Sequence, residues 1–295
     1  MQDKTTTVHM GMTFWIPIIW IAFVVVSATT AGMWAIPESD RMDWENLSAK
    51  PGTKNDDAVL QHTGETEKTD YIYWLGTDTM GRDIISRLVY GARISLSVGL
   101  LSPLIGFIIG GLLGCFAGYY RGRLESLIVA VMDIILAFPG LVMLLAIIFY
   151  LGPALENLVA ALGFLTIPAF SRVARAKTLA LSDQEFVQAA RLTGAGNISI
   201  LVREILPNVI IPMSVYGLLA VAFMIMAEGA LSFLGLGVPA PIPSWGGMIA
   251  EGREVLDEAP HVCMIPAFVM FLTVISFNLI GDSLRSLLER RRSQL

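Results

Sequence analysis

Along the chain, long apolar runs alternate with short polar joints. Six runs stand out, at residues 14–35, 96–119, 127–151, 158–170, 209–229 reaching towards Leu236, and 262–280. Most approach or exceed the ~20 helical residues that cross a hydrocarbon core about 30 Å thick; the fourth is shorter. Backbone amides and carbonyls find no water in lipid, so each run has to satisfy them internally as a helix. No strand-length alternation of the kind that builds a barrel is present. The pattern predicts an all-α, polytopic membrane helix bundle with about six transmembrane helices.

Composition strengthens this. Of the 295 residues 55% are hydrophobic and 15% charged, against about 25% charged in an ordinary soluble domain. The runs divide the chain into an N-terminal stretch 1–13, a first span 14–35, an external loop 36–94, a transmembrane core 95–285 with a polar loop at 172–206, and a tail 286–295. Six spans put both ends on one side. That side carries twelve basic residues, Arg290, Arg291 and Arg292 among them, against seven acidic ones, which the positive-inside rule makes cytoplasmic. Arg82, Arg87 and Arg93 resist the rule, but they end an external loop of ~60 residues, near the length at which charge stops directing topology. The small residues 27–31 would also suit a cleaved signal peptide, although Lys4 is offset by Asp3 and the basic leading region is poor.

Chemistry is sparse. His9, His62 and His261 stand apart, and Cys115 and Cys263 have no paired spacing, so neither a metal site nor a disulfide framework is expected. No G-x-x-x-x-G-K-[ST] loop occurs and no lysine follows a glycine, which excludes a phosphate cradle of that type. No catalytic residues are expected, no cofactor is expected on this chain, and nothing points to nucleic acid.

The polar loop 172–206 reads as two short helices. Ser182 and Glu185 have capping-box spacing, so a helix should start near Asp183. Phe186, Ala189, Ala190 and Thr193 recur at three- and four-residue steps, with Gln188 and Arg191 flanking them and Gly194 placed for a left-handed C-cap. A second helix should run from about Asn197 to Leu206, with Pro207 and Pro212 behind it. The loop could lie on the bilayer as an amphipathic hairpin, but its small, weakly basic face suits a protein groove better.

The residues Gln188-Ala189-Ala190, Gly194 and Ile205-Leu206-Pro207 resemble the coupling-loop signature of binding-protein-dependent ABC importer permeases. Gln188 stands where that family has glutamate, and Glu204 where it has isoleucine. The stretches Gly76-Thr77-Asp78-Thr79-Met80-Gly81-Arg82-Asp83, Ser232-Phe233-Leu234-Gly235-Leu236-Gly237, Pro243-Ser244-Trp245-Gly246 and Asn278-Leu279-Ile280-Gly281-Asp282 are similar to the dipeptide, oligopeptide and nickel class, in its second permease. The resemblance implies a multi-pass subunit of the bacterial cytoplasmic membrane. It implies coupling through Glu185, Phe186, Gln188, Ala189, Ala190, Arg191 and Gly194. Its partners would be a second permease in a heterodimer, two ABC ATPases that use ATP and magnesium, and an external substrate-binding protein. Peptides would be the cargo, with nickel chelates, glutathione or oligosaccharides as alternatives.

Three further features are open to two readings. Asp78, Arg82 and Asp83 form an external motif that reads first as a turn with a helix cap and second as a substrate contact. Gly106, Gly110, Gly114 and Gly118 fall every fourth residue and read as a packing seam before a conduit. Asp133 and Glu228 lie within apolar runs, where ionisable groups are costly enough to be pathway candidates; Asp133 is near the Phe138-Pro139-Gly140 kink and Glu228 near an outer vestibule. Pro139, Pro168 and Pro212 are candidate flex points. The same acids leave a rival reading, a secondary transporter driven by an ion gradient, which the absence of an evident inverted repeat disfavours.

Overall fold

The computed structural model describes residues 12–62 and 65–292, with the side chains of 57–69 and 289–292 left aside. The N-terminal stretch 1–11, His9 and Lys4 within it, lies outside the described residues, as does the end of the basic tail. Helix α1 (Met12–Thr30) closes in a 3-10 turn and leads to a polar segment that contains a hairpin, β1 (Thr53–His62) and β2 (Glu65–Tyr73). Then come α2 (Ile84–Ile105), α3 (Gly111–Tyr120), α4 (Gly122–Ala137), α5 (Gly140–Leu151), α6 (Leu155–Ser182), α7 (Glu185–Leu192), α8 (Asn197–Ile200), α9 (Leu206–Phe233), α10 (Trp245–Gly252) and α11 (Pro260–Arg292). Five spans are single helices or collinear helices, and the pair α4–α5, bent by 85°, is either a broken sixth span or a re-entrant loop.

Several boundaries move from where hydropathy put them. The second span begins at Ile84, inside the expected external loop 36–94, and runs through α2 and α3 as one 37-residue rod. A π-helical turn at Gly106–Gly110 joins its halves, just after Pro103, whose missing N–H disturbs the ladder. The short fourth run becomes a 28-residue helix reaching Ser182. Arg172, Arg175 and Lys177 lower its hydropathy but are good helix formers, so the expected loop 172–206 shrinks to the segment around α7. The last helix passes 285 and continues to Arg292.

The third run is not one rod. Phe138 takes an extended conformation before Pro139 (φ −84°, ψ 136°), and α4 and α5 meet at 85°. Proline disfavours the helical region for the residue before it, and Gly140 adds no stiffness after it. Pro168 and Pro212, the other expected flex points, sit inside unbroken helices. The bundle expectation holds, with the addition of a hairpin whose strands pair antiparallel with an irregularity between Asn55 and Ala58.

The glycine row is a seam. A side-chain carbon added at Gly110 would strike the Ile167 carbonyl, one at Gly114 the Ser171 carbonyl, and one at Gly118 the Thr178 side chain. The backbones of α3 and α6 therefore touch along their lengths, an approach that only glycine permits. A second core gathers α1, α2, α9, α10 and α11 around Ile84, Leu88, Ile225, Trp245 and Phe277.

Candidate functional site

Helix α7 stands at one end of the bundle, between the ends of α3 and α6 and the start of α8. Its expected capping box does not form. Ser182 is instead the last residue of α6, where its hydroxyl donates to the Leu179 carbonyl (3.0 Å) and accepts from Arg121 Nη2 (3.0 Å). The N-cap of α7 is Gln184, and the amides of Val187 and Gln188 bond to its carbonyl. The box fails because α6 outruns its apolar stretch and takes Ser182 with it.

The other end forms as expected. Gly194 has φ +84°, its amide bonds to the Arg191 carbonyl, and the Ala195 amide reaches back to the Ala190 carbonyl (3.0 Å each), the paired bonds of a Schellman cap. Val187 is fully buried and packs with Ala190, Ala195, Tyr119, Ala174, Ile200 and Ile205. The Arg191 guanidinium lies 5.5 Å from the centre of the Tyr119 ring, and Tyr119 donates to Asn197 (3.0 Å). Arg191 therefore helps to fasten α7.

The opposite face is bare. Glu185, Phe186, Gln188 and Ala189 are exposed, and Leu192 is 89% exposed and Ile198 68%. Leu192 and Ile198 were not singled out by periodicity, although Leu192 lies three residues beyond Ala189 on the same side. The Gln188 amide donates to the Asp183 carbonyl (3.1 Å), a bond that a glutamate could not donate.

At the far end the external motif is a buried ion cluster. Arg82 bonds Asp78 (2.6 Å) and Glu251 (2.7 Å), and Arg87 lies 3.2 Å from Asp78 and 3.1 Å from Glu251. Both arginines and Asp78 are buried, with Glu251 of α10 forming the half-open side. This explains the arginines that resisted the charge rule. Two acids neutralise two of them, and Arg93 donates to the Ala28 carbonyl (2.6 Å) and sits over the Tyr90 ring. Asp83 caps α2 by accepting from the Ser86 amide (2.8 Å) and also accepts from Tyr71 (3.3 Å). Burial pushes its carboxyl up to about 6, against the lowering effect of those bonds. Glu251 was absent from the expected motif because it lies more than 160 residues from Arg82 and Arg87 in sequence.

The two acids of the apolar runs part company. Glu228 is 0% exposed. One of its oxygens accepts from Ser232 and Ser244 (2.8 Å each) and the other from Ser95 (3.3 Å). Those serines belong to α9, the N-cap of α10 and α2, so the carboxyl ties three elements together and faces no vestibule. Asp133 is on the surface of α4, 2.8 Å from Arg172 of α6.

With this geometry in place, comparison with known proteins adds an independent line. Residues 110–294 match the family of binding-protein-dependent transport system inner membrane components. The chain is also 39% identical over 283 residues to the glutathione transport system permease protein GsiD of Escherichia coli O157:H7, covering 95% of this chain and 86% of that one. The chain belongs to this permease family. The permease is 42% identical to GsiD of Pectobacterium atrosepticum over 217 residues, 74% of this chain and 72% of the relative. Its fold is similar to a chain of the inward-facing MetNI methionine ABC transporter, with a TM-score of 0.57, 18% identity, and coverage of 69% of this chain and 97% of that one. The permease is thus a multi-pass inner-membrane component of an ABC importer, working with an ATPase and a binding protein. It is a transport subunit and not an enzyme, since ATP hydrolysis belongs to a separate subunit.

Proposed function

We propose that this permease is one of two non-identical membrane subunits of an ATP-driven importer of peptide-type solutes, and that α7 is the element through which its ATPase partner moves it. The observation that carries the reading is the two-sidedness of α7. Val187, Ala190 and Arg191 fasten it to α3, α6 and α8, while Glu185, Phe186, Gln188, Ala189 and Leu192 are exposed, Gln188 bonding back to the Asp183 carbonyl. Gly194 ends the helix and sets its angle. Such a helix transmits a push because both its neighbours are spans: α6 ends two residues before it, and α8 continues into α9.

The start of α1, α7 and the last turns of α11 share one end of the bundle, and the basic residues favour that end as cytoplasmic. ATP and magnesium are handled by the partner ATPases, and this chain holds no cofactor of its own. Residues 36–83 form an external segment and 84–292 the permeating core. Asp78, Arg82 and Asp83 act by fixing the external segment to α10, and Glu228 by holding α10 on α2 and α9. Asp133 is the better pathway candidate because it is accessible. Relatives named for glutathione transport support a peptide-type cargo.

Transport in proteoliposomes holding both permeases, the ATPases and the binding protein tests this against the ion-gradient reading. Uptake should require ATP and survive ionophores that collapse the proton and sodium gradients. Uptake by this chain alone, or its abolition by ionophores with ATP present, would overturn the reading.

A further inference from the structure

Two polar features sit close together on α4, in a stretch of chain that is otherwise apolar. The first is the Asp133–Arg172 pair at 2.8 Å, with side chains 55% and 59% exposed. Asp133 follows the apolar residues 127–132 and precedes 134–138, which are apolar too. It stands about 16 Å along the axis from Gly122, where Arg121 pairs with Asp183 beside α7. The second feature is the break at Phe138-Pro139, about 7 Å farther on. It leaves the last carbonyls of α4 and the first amides of α5 without helical partners, and no side chain caps the start of α5. Phe138, Pro139 and Gly140 are all exposed.

Hydrocarbon suits neither feature. Charged side chains within spans face the bundle interior or water, and broken backbone at membrane depth is tolerated only in protein or along a water-filled cavity. The adjoining side of α6 has the same character: four-residue steps from Arg172 fall on Ala176 and Ala180, both small and exposed. From these observations we infer that the face of α4 and α6 carrying Asp133, Arg172 and the Phe138-Pro139 break lines a wet part of the translocation path, where the Asp133–Arg172 pair is a gate contact. The inference rests on the permease reading and adds Arg172, which hydropathy had placed in a loop, to the path.

Two rungs join α4 to α6, and they differ. Nearer α7, Arg175 donates both Nε and Nη2 to one oxygen of Glu125, a forked and less exposed contact. Asp133–Arg172 is a single, open contact. An exposed pair of that kind is weak, as a contact that opens in every cycle has to be. The lower rung keeps the helices together while the upper one parts.

The test uses the complete transporter with Cys115 and Cys263 replaced by serine. Ala137→Cys, one turn from Asp133, should react with the membrane-impermeant reagent methanethiosulfonate ethyltrimethylammonium well above the rate of Ile19→Cys on the exposed apolar face of α1. Reaction no faster than Ile19→Cys would put the face against lipid or a second subunit and overturn the inference. Arg172→Gln and Asp133→Asn should each raise ATP hydrolysis without binding protein by about fivefold, the shift expected from losing a pair of this strength. The exchanged pair, Arg172→Asp with Asp133→Arg, should restore wild-type coupling, and failure to restore it would remove the gate. Wild-type complex without ATP-driven uptake would instead sink the proposed importer function, so the two failures are distinguishable.

Discussion

Asp83 is a helix cap in an unfavourable place. Buried at the start of α2 beside Asp78, it is raised from its ordinary 3.8 to about 6, with burial as the main cause. The sign follows from proton linkage. Between pH 3.8 and about 6 the folded chain holds this proton and the unfolded chain does not, so stability falls as pH rises through that window, by about 3 kcal/mol in all. Asn caps as well as Asp without the charge. Asp83→Asn should therefore melt higher than wild type at pH 7.5 in detergent and level with it near pH 3.5; equal melting at both would refute the linkage. Glu228 gives a complementary case. Glu228→Ala leaves three serine hydroxyls buried without their acceptor and should cost about 3 kcal/mol or more. Glu228→Gln retains one acceptor oxygen and should be milder, as thermal melts of the purified subunit would reveal.

Among the elements, the glycine seam makes the sharpest demand. Even one added methyl at Gly114 would meet the Ser171 carbonyl and lie 2.8 Å from the Ala174 Cβ, so Gly114→Ala should destabilise by ~1–3 kcal/mol. At Gly140 the same methyl would touch only Leu165, at 3.7 Å, and Gly140→Ala serves as a control with a near-native melting point. This seam was legible in the sequence because four-residue spacing on a helix is a face. The Gly194 cap was legible for a similar local reason. The course of α6 was not, since hydropathy ends at Arg172 while helical propensity does not, and the failed Ser182 cap followed from that. The hairpin β1–β2 was missed because its residues are too polar to register as a buried strand pair. The Arg82–Glu251 contact joins elements remote in sequence, and spacing rules see only neighbours.

For the molecule as a whole, the bundle has two differently built ends. The end opposite α7 is locked, with Asp78, Arg82, Arg87 and Glu251 joining the loop to α10 and Glu228 joining α10 to α2 and α9. The end bearing α7 is held by apolar packing around Val187, and its polar contacts are lighter, Tyr119–Asn197 and the half-exposed Arg121–Asp183 pair. Exposed pairs of this sort contribute roughly 0–1 kcal/mol, so the α7 end is the one that can move. That asymmetry fits a subunit driven from outside its own fold. The most direct test of the account places a charge on the bare face of α7 and asks whether the ATPase still binds. Ala189→Arg leaves the buried anchor Val187 untouched, so the variant should reach the membrane in normal amounts. The account predicts that the ATPase no longer co-purifies with it and that ATP-driven uptake is lost. Full ATPase recovery with undiminished uptake would contradict docking through α7.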